Sequence, residues 1–206
     1  MRFGMVIDLN RCIGCHACTL ACKQHNGTPK GIFWSRVLIH EMGEYPNKRV
    51  HYQPMLCMHC KNPECVKVCP TGASYQREDG IVAIDQDKCI GCRYCKLACP
   101  YDARSTLIDI QPYHTGKEFT PYERVALSRH QVGVVSKCDF CASRLEEGKE
   151  PSCVQTCPGK ARIFGDLDNP ESEVSKLIAR RSPRQLLPDM GTDPSVYYIE
   201  EVRRYG

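Results

Sequence analysis

The chain has 206 residues, a formal charge of +4 and 16 cysteines, far more than a globular protein of this length ordinarily carries. Its basic residues are scattered, with no basic helix or aromatic-basic module, which argues against nucleic-acid binding. The 14 prolines and 15 glycines interrupt a thin apolar supply, so a large single core is excluded and disulfides or metal must help hold the chain together.

The first stretch, MRFGMVIDLNRC, lacks the charged leader and apolar run of a secretory signal and has no twin-arginine pair. No window approaches the roughly 20 apolar residues that cross a bilayer. The expectation is a soluble chain whose export or membrane attachment comes through a partner. The first cysteine group follows at once, Cys12, Cys15, Cys18 and Cys22 in CIGCHACTLAC. After it, Val37–Ile39 and Val50–Tyr52 alternate on either side of a Pro-Asn-Lys turn, which predicts a β-hairpin. Trp34, the single tryptophan, reads as local packing ahead of a partner anchor.

The second group, CMHCKNPECVKVCP, contains Cys57, Cys60, Cys65 and Cys69. The third, CIGCRYCKLACP, contains Cys89, Cys92, Cys95 and Cys99. Between them SYQ, an Asp-Gly turn and IVAID predict a short hairpin. The connection 104–137 is long and rich in Tyr, Pro and His, which suggests an interface. The fourth group, Cys138, Cys141, Cys153 and Cys157, stretches the middle gap and uses the last of the cysteines. PESEVSKLIARR then has helical spacing, with acids first, arginines last and Pro183 as a stop. The remainder reads as an extended tail with a short strand at 196–199, its tyrosines either capping the core or docking a partner.

Three cysteines at short intervals in a tight loop wrap three irons of a cubane cluster, while the fourth, beyond an x3 step, reaches the other cluster of a pair. Gly14 and Gly91 lie where the backbone must curl around sulfide. Zinc does not call for four repeats of this grammar with Cys-Pro endings, and cysteines this close in tight loops suit disulfides poorly. A radical C-x3-C-x2-C reading fails, because His25 and Gly72 occupy the required third positions. His16 and His59 are expected to face solvent or to hydrogen-bond cluster sulfur, since every cluster already has four cysteines.

The crossed rule pairs motifs two and three within 55–103. Motifs one and four are then left to each other, and their flanks agree: FGMVIDLNRC matches GIVAIDQDKC, and CVQTCPGKARIFGD matches CVKVCPTGASYQRE. Gly4–Ile7 should therefore pair with Arg162–Gly165. The reading is an α+β fold of two dicluster ferredoxin-like units, one inserted in the other by internal duplication. Unit A comprises 1–22 and 138–170, a β-hairpin insertion 23–54, unit B 55–103, an interface loop 104–137, and a C-terminal helix and tail 171–206. Cluster 1 is assigned Cys12, Cys15, Cys18 and Cys157. Cluster 2 is assigned Cys57, Cys60, Cys65 and Cys99, and cluster 3 Cys89, Cys92, Cys95 and Cys69. Cluster 4 is assigned Cys138, Cys141, Cys153 and Cys22.

With these motifs in this order the chain resembles the iron-sulfur subunits of the dimethyl sulfoxide reductase superfamily of molybdenum enzymes. The stretches that carry the resemblance are MVIDLNRCIGCHACTLAC, CKNPECVKVCPTGA, DKCIGCRYCKLACPYDAR, KCDFCASRLEEGKEPSCVQTCP and the later GTDPSVYYI. The connection between motifs three and four departs from the family in being shorter. The resemblance implies four [4Fe-4S] clusters, since every ligand position is cysteine. It also implies a molybdopterin catalytic subunit as partner, often a quinone-reactive membrane subunit, and substrate chemistry on the large subunit.

The expected role is electron transfer in anaerobic respiration, with no catalytic residue in this chain. The alternatives are a largely structural subunit or a free polyferredoxin-type carrier. Export to the outer face together with a signal-bearing partner is preferred over a cytoplasmic location. Clusters and thiolates together add about −8, turning +4 into about −4. Arg11, Lys23, Lys67, Lys88, Arg93, Lys96 and Lys137 border the motifs and are expected to offset that charge, with Arg93 the first candidate for raising a cluster potential.

Overall fold

The computed structural model describes residues 1–114 and 116–200. Strand β1 (Phe3–Asp8) is followed by helix α1 (Ala17–Asn26), the hairpin strands β2 (Arg36–Met42) and β3 (Arg49–Met55), and the short helix α2 (Glu64–Lys67). Next come β4 (Ser74–Gln76), β5 (Val82–Ile84), α3 (Tyr94–Leu97), β6 (Ser105–Thr106), α4 (Pro121–Leu127) and β7 (Val135–Ser136). The chain ends with α5 (Ala142–Glu146), α6 (Ser152–Gln155), β8 (Arg162–Asp166), α7 (Glu173–Arg181) and β9 (Val196–Ile199). Among the described residues no helix is long and apolar enough to cross a membrane.

β1 alternates in the manner of a strand covered on both faces. Met5 and Ile7 enter the main core, which also takes Met55, Met58, Ile81, Phe140, Val196 and Tyr198, while Val6 faces the opposite way onto Ile163, Val174 and Ile199. Its antiparallel partner is β8, in the register Gly4↔Gly165 to Ile7↔Arg162 that the flanking sequences predict. β9 is no loose tail. It adds in parallel to the other edge of β1, from Met5↔Val196 to Asp8↔Ile199, and gives a sheet in the order β8-β1-β9.

The approach to β9 ties distant parts together. Ser195 N–H donates to Met58 O at 2.9 Å, Met5 N–H donates to Ser195 O at 3.0 Å, and Lys61 N–H donates to Asp193 O at 2.8 Å. Tyr198 is fully buried and donates through its hydroxyl to Pro54 O at 2.8 Å, so this tyrosine belongs to the core. Arg184 pairs with Tyr198 across the far side of β9 as an isolated bridge. Residues 201–206, the end of the predicted tail, lie outside the described residues.

α7 begins at Ser172, whose hydroxyl accepts from Ser175 N–H at 3.2 Å and donates to Asp166 O at 2.6 Å. Its Val174, Leu177 and Ile178 recur at helical spacing and cover the outer face of β1 and β8. The β2–β3 hairpin is rooted by Val37 and Met55 and exposes its far half. The 104–137 connection is largely ordered by its own contacts. Thr120 and Glu123 form a reciprocal cap at the start of α4, and Tyr122 and His130 contact the Gln24 and Asn26 carbonyls at the end of α1. Trp34 donates to Ser136 Oγ at 3.1 Å and meets His130 edge-on, a packing role.

Candidate iron-sulfur sites

Two pairs of helices carry the cysteines. α1 packs against α6, and α2 against α3. The loops curl because residues at the helix entrances adopt left-handed backbone: His16 before α1, Arg93 before α3 and Cys141 before α5. Gly14 at φ +68° and Gly91 at φ +70° lie inside the equivalent CIGC loops, and a Cβ there would press on the Tyr52 ring and on the Gly133 carbonyl, respectively.

The sixteen sulfurs fall into four neighbourhoods. Cys12, Cys15, Cys18 and Cys157 line one cavity with Val37, Pro54 and Ala161. Cys89, Cys92, Cys95 and Cys69 line another with Ile84, Ile90 and Val135. Cys57, Cys65 and Cys99 lie close enough to Cys60 to raise its thiol. Cys22, Cys141 and Cys153 do the same for Cys138. In each neighbourhood three cysteines come from one motif and the fourth from another.

All sixteen cysteines are free of disulfides. Two of the neighbourhoods are cavities walled by four cysteines each, the setting that a cubane cluster takes. Backbone and side-chain N–H groups already point at the sulfurs. Ser74 N–H reaches Cys69 Sγ and Ala161 N–H reaches Cys157 Sγ, both at 3.3 Å, while Phe140 N–H reaches Cys138 Sγ and Asn26 Nδ2 reaches Cys22 Sγ, both at 3.4 Å.

Burial makes these sites costly to charge without iron. Desolvation, aided by Cys57, pushes the Cys60 thiol up to about 12, and desolvation raises Cys141 to about 11. Cys138 and Cys22 are pushed up for the same reason and by the thiols beside them. Cys69 is the exception: its slight burial acts upward, but hydrogen bonds from Ser74, Thr71 and Ala73 outweigh it and bring the thiol down. Iron binding therefore releases protons from the buried sites and is coupled to pH.

Two buried arginines that do not border the motifs in sequence lie among these sulfurs. Arg162 is buried, with Nη1 3.6 Å from Cys153 Sγ and Nη2 3.5 Å from Cys18 Sγ and 3.1 Å from Ser35 Oγ. Arg104 is buried as well and donates to Ser74 Oγ at 2.8 Å, with Cys65, Cys95 and Cys57 close enough to favour its charge. Both escaped the sequence reading, although the repeat Cys-Pro-x-x-Ala-Arg at 99–104 and 157–162 signals them.

Of the residues named from sequence, Lys137 is buried and donates to the Val82 and Cys138 carbonyls. Lys23 tethers the carbonyls of Thr28, Pro29 and Ile32, while Lys67 and Lys88 pair with Glu64 and Asp85. Arg93 is exposed, and Arg11 donates to Gly159 O at 3.0 Å.

His59 corrects the expectation of solvent exposure, and it donates to no cysteine sulfur. It is fully buried and stacks on Phe140 with centroids 3.7 Å apart, where residues flanking two different cysteine groups meet. Burial, with Lys137 and Arg104 nearby, keeps the ring neutral, and its Nδ1 accepts from Val82 N–H at 3.1 Å. Nε2 therefore carries the proton. His59 Nε2 and Arg104 Nη2 are buried without a partner in the protein, as donors aimed at an inorganic sulfide would be. The residues fit [4Fe-4S] clusters.

Comparison with known proteins agrees. Models of the 4Fe-4S dicluster domain match residues 48–108 and 107–167, and a second such model matches 11–73. A Halobacterium salinarum protein, named as the iron-sulfur subunit of a dimethyl sulfoxide reductase, is 50% identical over 96% of this chain and 79% of its own length. A selenate reductase subunit of Mesobacillus selenatarsenatis is 46% identical over 97% of this chain and 72% of its own length. The chain belongs to the iron-sulfur subunits of the dimethyl sulfoxide reductase superfamily.

The arsenate respiratory reductase iron-sulfur subunit of a Shewanella strain, at 40% identity, covers 97% of this chain and 96% of its own length. As an iron-sulfur subunit of this superfamily, the chain is an electron-transfer component that carries four [4Fe-4S] clusters. Bound there, such clusters would supply one-electron redox chemistry, and the protein supplies the thiolates, the donors to sulfur and the apolar walls that exclude water.

Proposed function

We propose that each cluster is held by three cysteines of one motif and the fourth of its paired motif, and that electrons pass in the order 1, 4, 2, 3 or its reverse. Cluster 1 then uses Cys12, Cys15, Cys18 and Cys157, and cluster 4 uses Cys138, Cys141, Cys153 and Cys22. Cluster 2 uses Cys57, Cys60, Cys65 and Cys99, and cluster 3 uses Cys89, Cys92, Cys95 and Cys69. Unit A (1–22 and 138–170) is on this reading a dicluster unit into which unit B (55–103) has been inserted.

The grouping of sulfurs by fours across motifs carries the assignment. Two contacts speak for the order. Arg162 joins Cys18 to Cys153, and the His59–Phe140 stack joins the loop of Cys57 and Cys60 to that of Cys138 and Cys141. The ends also differ from the middle. Cys15 and Cys92 are exposed, whereas Cys22, Cys57, Cys138, Cys141 and Cys153 are buried.

The exposed ends are rimmed by apolar side chains, Ile13 and Leu20 at one and Ile90, Tyr94 and Leu97 at the other, each more than half exposed. Such rims suit partner docking. One partner is a molybdopterin catalytic subunit. The other is a quinone-reactive membrane subunit or a second redox protein, and the complex is exported folded with a signal-bearing partner to the outer face. The chain itself performs no substrate chemistry.

Cys157→Ser tests the assignment. The cluster of Cys12, Cys15 and Cys18 should lose its native electron paramagnetic resonance signal while that of Cys138, Cys141 and Cys153 keeps its own, and the opposite pattern overturns the crossed ligation. Ile13→Glu and Ile90→Glu test the ends: each should release one partner on pull-down, and release of neither refutes the docking rims. Rapid-reaction spectroscopy tests the relay, which is abandoned if the clusters stay oxidised while the complex turns over at full speed.

A further inference from the structure

We propose that Arg104 and Arg162 are shared counter-cations, each set between the two clusters of one unit and holding both of their reduction potentials up. The proposal rests on the ligand assignment above. Under it, Cys18 and Cys153 belong to different clusters, and one guanidinium spans them at 3.5 and 3.6 Å. Arg104, buried and bonded to Ser74 Oγ beside Cys69, has its charge favoured by Cys65 and Cys95, which likewise belong to different clusters. In both units the two sulfurs are the third cysteines of their motifs, the ones carried into the helices between the clusters.

Burial gives the arrangement its meaning. Arg104 is 2% exposed and Arg162 3%. A guanidinium removed from water costs several kcal/mol unless anions face it, and the anions that face these two are cysteine sulfurs. Each also has a serine hydroxyl to orient its fork, Ser74 for Arg104 and Ser35 for Arg162.

Both arginines stand at the end of the repeat Cys-Pro-x-x-Ala-Arg, at 99–104 and 157–162, whereas the same place after motif two is Ser74.

The step served is a one-electron reduction. A cluster accepts an electron from its neighbour, no bond forms or breaks, no proton moves, and the guanidinium stays charged. The added negative charge is stabilised by the cation, so the reduced form is favoured at both clusters it touches.

The test is a potentiometric titration of all four clusters, followed by electron paramagnetic resonance, in the full chain within its complex. Arg162→Met should shift the reduction equilibria of two clusters toward oxidised by at least tenfold, about 59 mV for one electron, and leave the other two in place. Arg104→Met should shift the complementary pair. Arg→Lys at either position keeps the charge and should recover part of the shift. Movement of one cluster, none, or all four overturns the proposal. Should a Met variant lose iron, the Lys variant is judged by the same two-of-four criterion, and iron loss in both makes the arginine structural and overturns it too. Cys157→Ser in parallel separates failures: if the wrong cluster responds there, the ligand assignment is at fault, whereas the expected response there with unmoved potentials in the arginine variants condemns the shared cation alone.

Discussion

The half of the molecule made from the chain's ends and the half made from its middle solve one problem with unequal means. In the middle, β4 and β5 pair over three residues each across a tight turn, and two helices of four residues complete the frame. At the ends, β1 needs β8, more than 150 residues away, and is then flanked by β9 and roofed by α7. Local closure costs little chain entropy, so the middle half manages with a minimal hairpin; distant closure costs more and is offset by a third strand and a helix with its own small core.

The comparison breaks most decisively at β9. Val196 is fully buried, and Val196→Asp places an uncompensated charge there at a cost of about 3–5 kcal/mol. The expected outcome is a protein that holds half its iron, with the resonance signals of the middle pair intact. Simultaneous loss of all four clusters would mean that the halves fold as one unit.

A finer contrast lies between the matched glycines. Alanine at Gly14 or Gly91 incurs about 1–2 kcal/mol for its left-handed backbone. At Gly14 the new methyl meets the Tyr52 ring, which can swing, but at Gly91 it meets the Gly133 carbonyl, which cannot. Gly91→Ala should therefore lower the thermal midpoint, followed by loss of visible cluster absorbance, further than Gly14→Ala. Equal shifts would deny that the loops differ in support.

The smallest effect concerns the roof of the end-built half. Ser172→Ala removes the helix cap and should cost about 1 kcal/mol in denaturant titration. An effect confined to the end-built clusters would sharpen the comparison.

Much of this was legible in advance because cysteine spacing is a strong constraint. The partnership of Gly4–Ile7 with Arg162–Gly165 followed from matching flanks, and α7 followed from its helical spacing, its early acids and its Pro183 stop. The docking of β9 did not, because VYYI has strand character without any signal for its neighbour, and only the carbonyl of Met58 and the edge of β1 decide it. Nor did the burial of His59, a polar residue whose environment is made by Phe140 and Val82 from distant segments. The arginines were legible and overlooked. The charges next to the cysteines in sequence are mostly exposed, whereas the fifth residue past the last cysteine of a motif is where the chain re-enters the core.

The long reach of β1 also sets an order in time. Cys22 and Cys157 are about 135 residues apart in a chain that is synthesised from its amino end, so at 5–20 residues per second roughly 7 to 27 s pass between their appearances. The middle half emerges whole in that interval, whereas on the proposed ligation the thiols at 12–22 must wait for those at 138–157. Maturation is then staged, and the first of the four motifs to be made belongs to a pair that is among the last to be completed.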